Sequence, residues 1–108
     1  MNISEWQQEV HKVAKEKGWY DKPRTIGDRL MLIVSEISEA LEEYRKNEDL
    51  TYVYDTKHGP QGFPIELADA VIRILDLCEF YEINLTLAII RKNAYNKTRP
   101  YRHGGKAI

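Results

Sequence analysis

The longest regular pattern in the chain runs through "IGDRLMLIVSEISEALEEYRKN", where Leu30, Ile33, Val34, Ile37, Leu41 and Tyr44 recur every third or fourth residue. That spacing predicts an amphipathic helix with these six side chains as its core stripe. Thr25 followed by Asp28 has the form of a capping box, so the helix opens there and runs to about Asn47. Ser4 with Gln7 reads as a similar cap for an earlier helix that ends at about Lys17, before Gly18. "EDLTYVYDTKHGPQGF" loses the period, carries Gly59, Pro60 and Gly62, and reads as a loop. Its "LTYVY" is extended in character, but one strand without a partner makes no sheet. Pro64 suits the first turn of a third helix, about residues 64 to 82. Asn84 caps a fourth, which reaches about Thr98 and is closed by Pro100. The pattern predicts an all-α fold, a four-helix bundle-like arrangement in one domain over residues 1–108. Helices with this much apolar surface need a further partner to cover it, so a second subunit is expected to complete the bundle.

The third helix complicates this picture. In "ELADAVIRILDL" the residues Leu67, Val71, Ile74, Leu75 and Cys78 gather on one side and read as its core face. Glu66, Asp69, Arg73 and Asp76 form a charged stripe opposite, yet Ile65, Ile72, Leu77 and Phe80 flank them. A helix apolar on both sides is covered all round, and covered acids need counter-charge. The second helix repeats the arrangement, with Glu36, Glu39 and Glu43 on its flank and back. Glu36 and Glu39 stand three apart, as do Glu66 and Asp69, so each pair shares a face. Four carboxylates brought together would raise one another's pKa unless a cation neutralised them. Oxygen-only ligands select a hard cation, Mg²⁺ or Mn²⁺. No histidine stands at ligand spacing from these acids, which argues against a Glu-x-x-His di-iron site. Spacing alone is equally compatible with a solvated face whose Asp69 and Arg73 form an i,i+4 ion pair.

Composition narrows the function classes. A net charge of −1 does not support a generally basic nucleic-acid surface. Cys78 is the only cysteine, so there is no intrachain disulfide and no multi-cysteine metal site. "MNISEWQQEV" lacks the basic start and apolar run of a secretory signal, and no stretch is apolar for the ~20 residues that cross a bilayer. The expectation is a cytoplasmic protein with no membrane partner. The bases are concentrated late: residues 91 to 106 hold Arg91, Lys92, Lys97, Arg99, Arg102 and Lys106 with no acid. On the fourth helix the apolar stripe of Leu85, Ala88 and Ile89 continues into Lys92, Tyr95, Asn96 and Arg99. Such cations beside a divalent metal would complement a polyphosphate, with Asn93 and Asn96 as further donors and Tyr95 against a base. A helix end emerging into water, with bases favoured by the macrodipole, accounts for the same residues on its own.

Taken together, "SEISEALEEYRK", "GFPIELADAVIRILDL" and "KNAYNKTRPYRHGGK" resemble the MazG-like branch of the all-α nucleoside triphosphate pyrophosphohydrolases. "EVHKVAKEKGWYD" is similar to that family's first helix, so the resemblance covers nearly the whole chain. The family pattern is EExxE followed by ExxD. Here Ser35 stands at its first position, and Glu36, Glu39, Glu66 and Asp69 occupy the rest.

The resemblance implies a MazG-type fold and Mg²⁺-dependent hydrolysis of a nucleoside triphosphate between its α and β phosphates. It also implies a homo-oligomer, dimer or tetramer, with sites formed partly across subunits. Glu36, Glu39, Glu66 and Asp69 would be the metal ligands, with Glu39 nearest the attacking water and Glu36 beside it. Lys92, Asn93, Tyr95, Asn96 and Arg99 would hold the substrate, and Arg73 and Asp76 would support the ligands or pair at an interface; Trp6 and Trp19 are further candidates to stack on the base, with a core or interface role favoured for both. His11, His58 and His103 have no partner visible in the sequence. Two other readings stay open: a non-enzymatic helical module with a protein partner, and a hydrolase of another pyrophosphate compound. A third, nucleic-acid binding through the basic tail, is disfavoured by the neutral whole.

Overall fold

In a computed structural model the described residues are 1–101; Arg102, His103 and Lys106 of the basic tail lie outside them. Four helices form, α1 (Ile3–Glu16), α2 (Ile26–Lys46), α3 (Phe63–Phe80) and α4 (Leu85–Thr98), with a small hairpin between α2 and α3. The chain is therefore mostly helical, as the periodicity predicts. Thr25 caps α2 by accepting from the Asp28 N–H, and Asn84 caps α4 by accepting from the Leu87 N–H. The first cap differs from expectation. Asn2 and Glu5 form the reciprocal box that opens α1, two residues ahead of Ser4 and Gln7. Ser4 and Gln7 serve elsewhere.

A second correction concerns the connection read as loop. Strands β1 (Tyr54–Thr56) and β2 (Gly59–Gln61) pair antiparallel, Tyr54 opposite Gln61 and Thr56 opposite Gly59. Of "LTYVY" only Tyr54 is in the strand, and the Gly-Pro segment is the partner of β1. Lys57 and His58 make the reversal, Gly59 at φ +101° opens β2 opposite Thr56, and Pro60 is tolerated because a two-stranded ribbon has only edges. The hairpin runs straight into Gly62, at φ +128°, before α3.

The third correction is the largest. On α2 the stripe Leu30, Val34, Ile37, Leu41 and Tyr44 faces outward, with Val34 54% exposed, and on α3 Leu67 and Val71 are exposed too. Of the expected core, Leu75 and Cys78 are buried, and the rest of the interior is made by Val10, Ala40 and Ala70 together with buried Gln7, Glu36, Glu43 and Glu66. Small side chains explain the packing. Ala40 and Ala70 are the most buried residues of the two helices, and they let α2 and α3 lie close enough for the acids beside them to meet. The cost is a thin core. The accessible surface is 8359 Å² for 12.7 kDa, where a folded monomer of that mass exposes roughly 6,200 Å². The radius of gyration, 16.5 Å, likewise exceeds the ~13 Å expected for a compact chain of this length.

α1 packs along α3, and α4 touches chiefly α1. That last junction is polar. Gln7 donates to the Ile83 carbonyl at 3.0 Å and accepts from the Leu85 N–H at 3.3 Å, so one buried amide fastens α1 to the turn between α3 and α4. No helix among the described residues is long and apolar enough to cross a membrane.

Gly62 is the steric hinge of this arrangement, since a Cβ there would lie 2.4 Å from the Tyr52 carbonyl oxygen. Gly62→Ala is expected to lower stability by roughly 1–3 kcal/mol, read as a reduced denaturant midpoint. Gly27→Ala, whose Cβ would meet only Thr25 Oγ1 at 3.7 Å, is the control. Equal midpoints for both would show that the crossing relaxes freely.

Candidate metal centre

Glu36 and Glu39 lie one turn apart on α2, and α3 brings Glu66 against them. One carboxylate oxygen from each of the three lies within 4.8 Å of the other two. Glu66 stands in the first turn of α3, which Pro64 initiates and Gly62 ties to the hairpin. Tyr54 of the hairpin donates to Glu43 at 2.7 Å, so the ribbon is also fixed to α2. The path of the chain from α2 through the ribbon to α3 thus sets where Glu66 arrives.

The electrostatics of this cluster are unfavourable as they stand. Glu66 is only 7% exposed, and its Oε2 is buried with no hydrogen-bond partner. Burial first, then the close Glu39 carboxyl, then the charges of Asp69, Glu39 and Glu36 push the Glu66 carboxyl up to about 7. Asp69, one turn further on, is raised by burial and by Glu36, and is partly relieved by Arg73. An orphaned buried oxygen within an all-oxygen set of clustered carboxylates suits a hard divalent cation. The residues fit Mg²⁺ or Mn²⁺.

Asp69 does not join the trio at the same closeness. It lines a neighbouring cleft of about 220 Å³ with Glu36, Trp19, Ile72, Arg73 and Asp76. Arg73 reaches across to α2 and donates Nε–H to Glu36 Oε1 at 2.6 Å, while its charge also acts on Asp69. Its guanidinium lies 4.2 Å from the centre of the Trp19 ring. Asp76 accepts from His11 on α1, Nδ1 to Oδ1 at 2.8 Å. Sequence reasoning missed that pair and also missed buried Glu43. The partners His11 and Asp76 are 65 residues apart, and no local spacing encodes them. Glu43 was visible as a third acid on the α2 face of Glu36, and Tyr54 together with Lys46 at 3.6 Å satisfies it.

The proposed substrate residues are not brought to the acids within one chain. On α4 only Leu85, Thr86 and Arg99 are half-buried, and the rest of the helix is exposed. Lys92 and Arg99 lie 5.0 and 5.7 Å from the Tyr95 ring, so these three cluster with one another. Asn93 and Asn96 are exposed on the same helix. Of the tryptophans, Trp19 lines the cleft, whereas Trp6 is exposed on α1. Comparison of the chain with protein-family models, with curated proteins and with solved structures found no match.

The raised Glu66 carboxyl fixes the sign of a pH effect. Its ordinary value of 4.5 becomes about 7 on folding, so the folded chain holds a proton that the unfolded chain releases. That contribution is fully present below the ordinary value and is lost as pH rises through about 7. Melting of metal-free protein is therefore expected to fall between about pH 5 and 7.5, and Mg²⁺ is expected to restore it at the upper end. Glu66→Gln should flatten both responses. A Mg²⁺ effect of wild-type size in that variant would remove Glu66 from the centre.

Proposed function

We propose that the chain is a Mg²⁺-dependent nucleoside triphosphate pyrophosphohydrolase of the MazG-like kind, releasing the monophosphate and pyrophosphate. The observation that carries this reading is the Glu36, Glu39 and Glu66 trio with its buried, unpartnered Glu66 Oε2. Glu36, Glu39 and Glu66 would hold the cation, with Asp69 at its edge. Mg²⁺, or Mn²⁺ in its place, supplies charge neutralisation on phosphate oxygens and on the leaving pyrophosphate. Glu39 is the exposed member of the trio, so it is the carboxylate best placed to orient a water and accept its proton. The water oxygen would bond to the α-phosphorus as the bond from that phosphorus to the bridging oxygen breaks, which gives up pyrophosphate.

The remaining substrate contacts come from a second copy of the chain in this reading. The outward stripe of Leu30, Val34, Ile37, Leu41 and Tyr44 and the large exposed surface support a homo-oligomer, dimer or tetramer. Exposed α4 of one copy would then deliver Lys92, Asn93, Tyr95, Asn96 and Arg99 to the carboxylates of another. Positioning and electrostatics are what phosphoryl-transfer chemistry asks of such residues.

A screen of common and modified triphosphates, with and without Mg²⁺ and resolved by ion exchange, tests the reaction. The expected products are monophosphate and pyrophosphate, with activity reduced about 100-fold or more in Glu39→Gln and in Asp69→Asn. Diphosphate with inorganic phosphate would contradict the assigned bond, and no turnover of any triphosphate would favour a binding module. Assembly is tested separately. Val34→Glu with Ile37→Glu is expected to yield monomers by sedimentation and to abolish turnover, whereas active monomers would sink the shared-site reading.

A further inference from the structure

One cation already stands among the acids. Arg73 spends Nε on Glu36 at 2.6 Å, and its guanidinium plane is held 4.2 Å from the Trp19 ring centre. Those two contacts fix the group in position and leave both terminal Nη groups uncommitted to the Glu36 bond. Arg73 also lines the 220 Å³ cleft that contains Glu36 and Asp69. A guanidinium braced at Nε and over one face, with two parallel donors at its far edge, is the geometry that grips phosphate oxygens bidentately. A pure counter-ion for Glu36 has no need of the indole brace or of a place in the cleft wall.

We propose that Arg73 is the phosphate-gripping cation supplied by the same chain as the carboxylates, its Nη groups donating to a polyphosphate that enters the cleft beside Glu36 and Asp69. This rests on the pyrophosphohydrolase reading and adds to it a substrate contact on α3, distinct from those on α4. Glu36 has two tasks in this arrangement, since it holds the cation and keeps Arg73 aimed. Trp19 becomes the platform under the arginine rather than a surface for the base. Lysine could preserve the charge at position 73, but its ammonium is a point charge without a planar fork of parallel donors and has no flat face to rest on the indole.

Inorganic tripolyphosphate is the probe, because it carries the phosphate chemistry without a base. Mg²⁺ binding and tripolyphosphate binding are measured by calorimetry on wild type, Arg73→Met and Arg73→Lys, with Trp19 emission followed in a Trp6→Phe background. Both variants are expected to bind Mg²⁺ within about threefold of wild type, since loss of the brace on Glu36 is offset by removal of a competing positive charge from the acid cluster. Tripolyphosphate affinity is expected to fall 10-fold or more in both, and turnover about 100-fold, as for loss of one donor to a developing oxyanion. Trp19 emission should respond to tripolyphosphate only where Arg73 is present. Wild-type tripolyphosphate affinity in either variant would overturn the assignment, as would parallel loss of Mg²⁺ and tripolyphosphate, which would reduce Arg73 to a brace for Glu36. If Arg73→Met does not fold, Arg73→Lys alone decides by the same criteria. Wild type that binds no Mg²⁺ would overturn the metal reading instead; Arg73 is then judged on tripolyphosphate alone, with loss in the variants supporting it and equal binding overturning it.

Discussion

The arrangement of the whole chain depends on carboxylates packed between two helices. Glu36, Glu43 and Glu66 are buried where α2 and α3 meet, a position that ordinarily belongs to leucine or valine. Each needs its own answer to the loss of water. Glu43 takes a tyrosine hydroxyl and a lysine, Glu36 takes a guanidinium, and Glu66 is left with an oxygen that nothing among the described residues satisfies. A buried polar atom left in this way calls for its own explanation, and the raised carboxyl of Glu66 is the part of it that the chain itself supplies.

Placing charge inside moves apolar surface outside. A helix of fixed period cannot turn both its acid row and its leucine row toward the same neighbour. With Glu36, Ala40 and Glu43 turned toward α3, Val34, Ile37 and Leu41 must face away. The thin core follows from the same geometry, because alanines at the crossing contribute closeness rather than buried area. The apolar row of α2 is left as an outer face of the molecule.

How much of this was legible in the sequence depends on range. The three later helices could be placed because their signals are local, such as the caps Thr25 and Asn84 and the initiator Pro64. The acids could be grouped because residues three apart on a helix are neighbours. What failed was the direction of the α2 face and of part of the α3 face, where Leu75 and Cys78 are buried as expected but Leu67 and Val71 are not. The wheel separates two sides of α2 correctly, but it assigns the apolar side to the nearest packing partner by default. Here Ala40, too small to stand out on a wheel, lies on the side that is buried, as does Ala70 on α3. The hairpin was hidden for a related reason. Gly59 and Pro60 read as breakers in a sequence, yet here they are the first two residues of β2, after a two-residue reversal at Lys57 and His58. His11 with Asp76 and Arg73 with Glu36 join elements far apart in sequence, and no pattern within one helix reports them.

The junction of α4 has a kinetic meaning. Its first turn is anchored by Gln7 and by the Ser4–Thr86 hydroxyl contact, and beyond that turn the helix runs exposed. Amides there are protected by little more than the helix's own ladder, so they open at a small fraction of the free energy that unfolds the body. Transient fraying from the Arg99 end therefore precedes global opening by many events, and it would sweep Lys92, Tyr95 and Asn96 through a range of orientations about a fixed pivot. A segment that samples space in this way meets a docking surface by capture of one among its many conformers, and the ordering entropy is lost at that encounter rather than during folding.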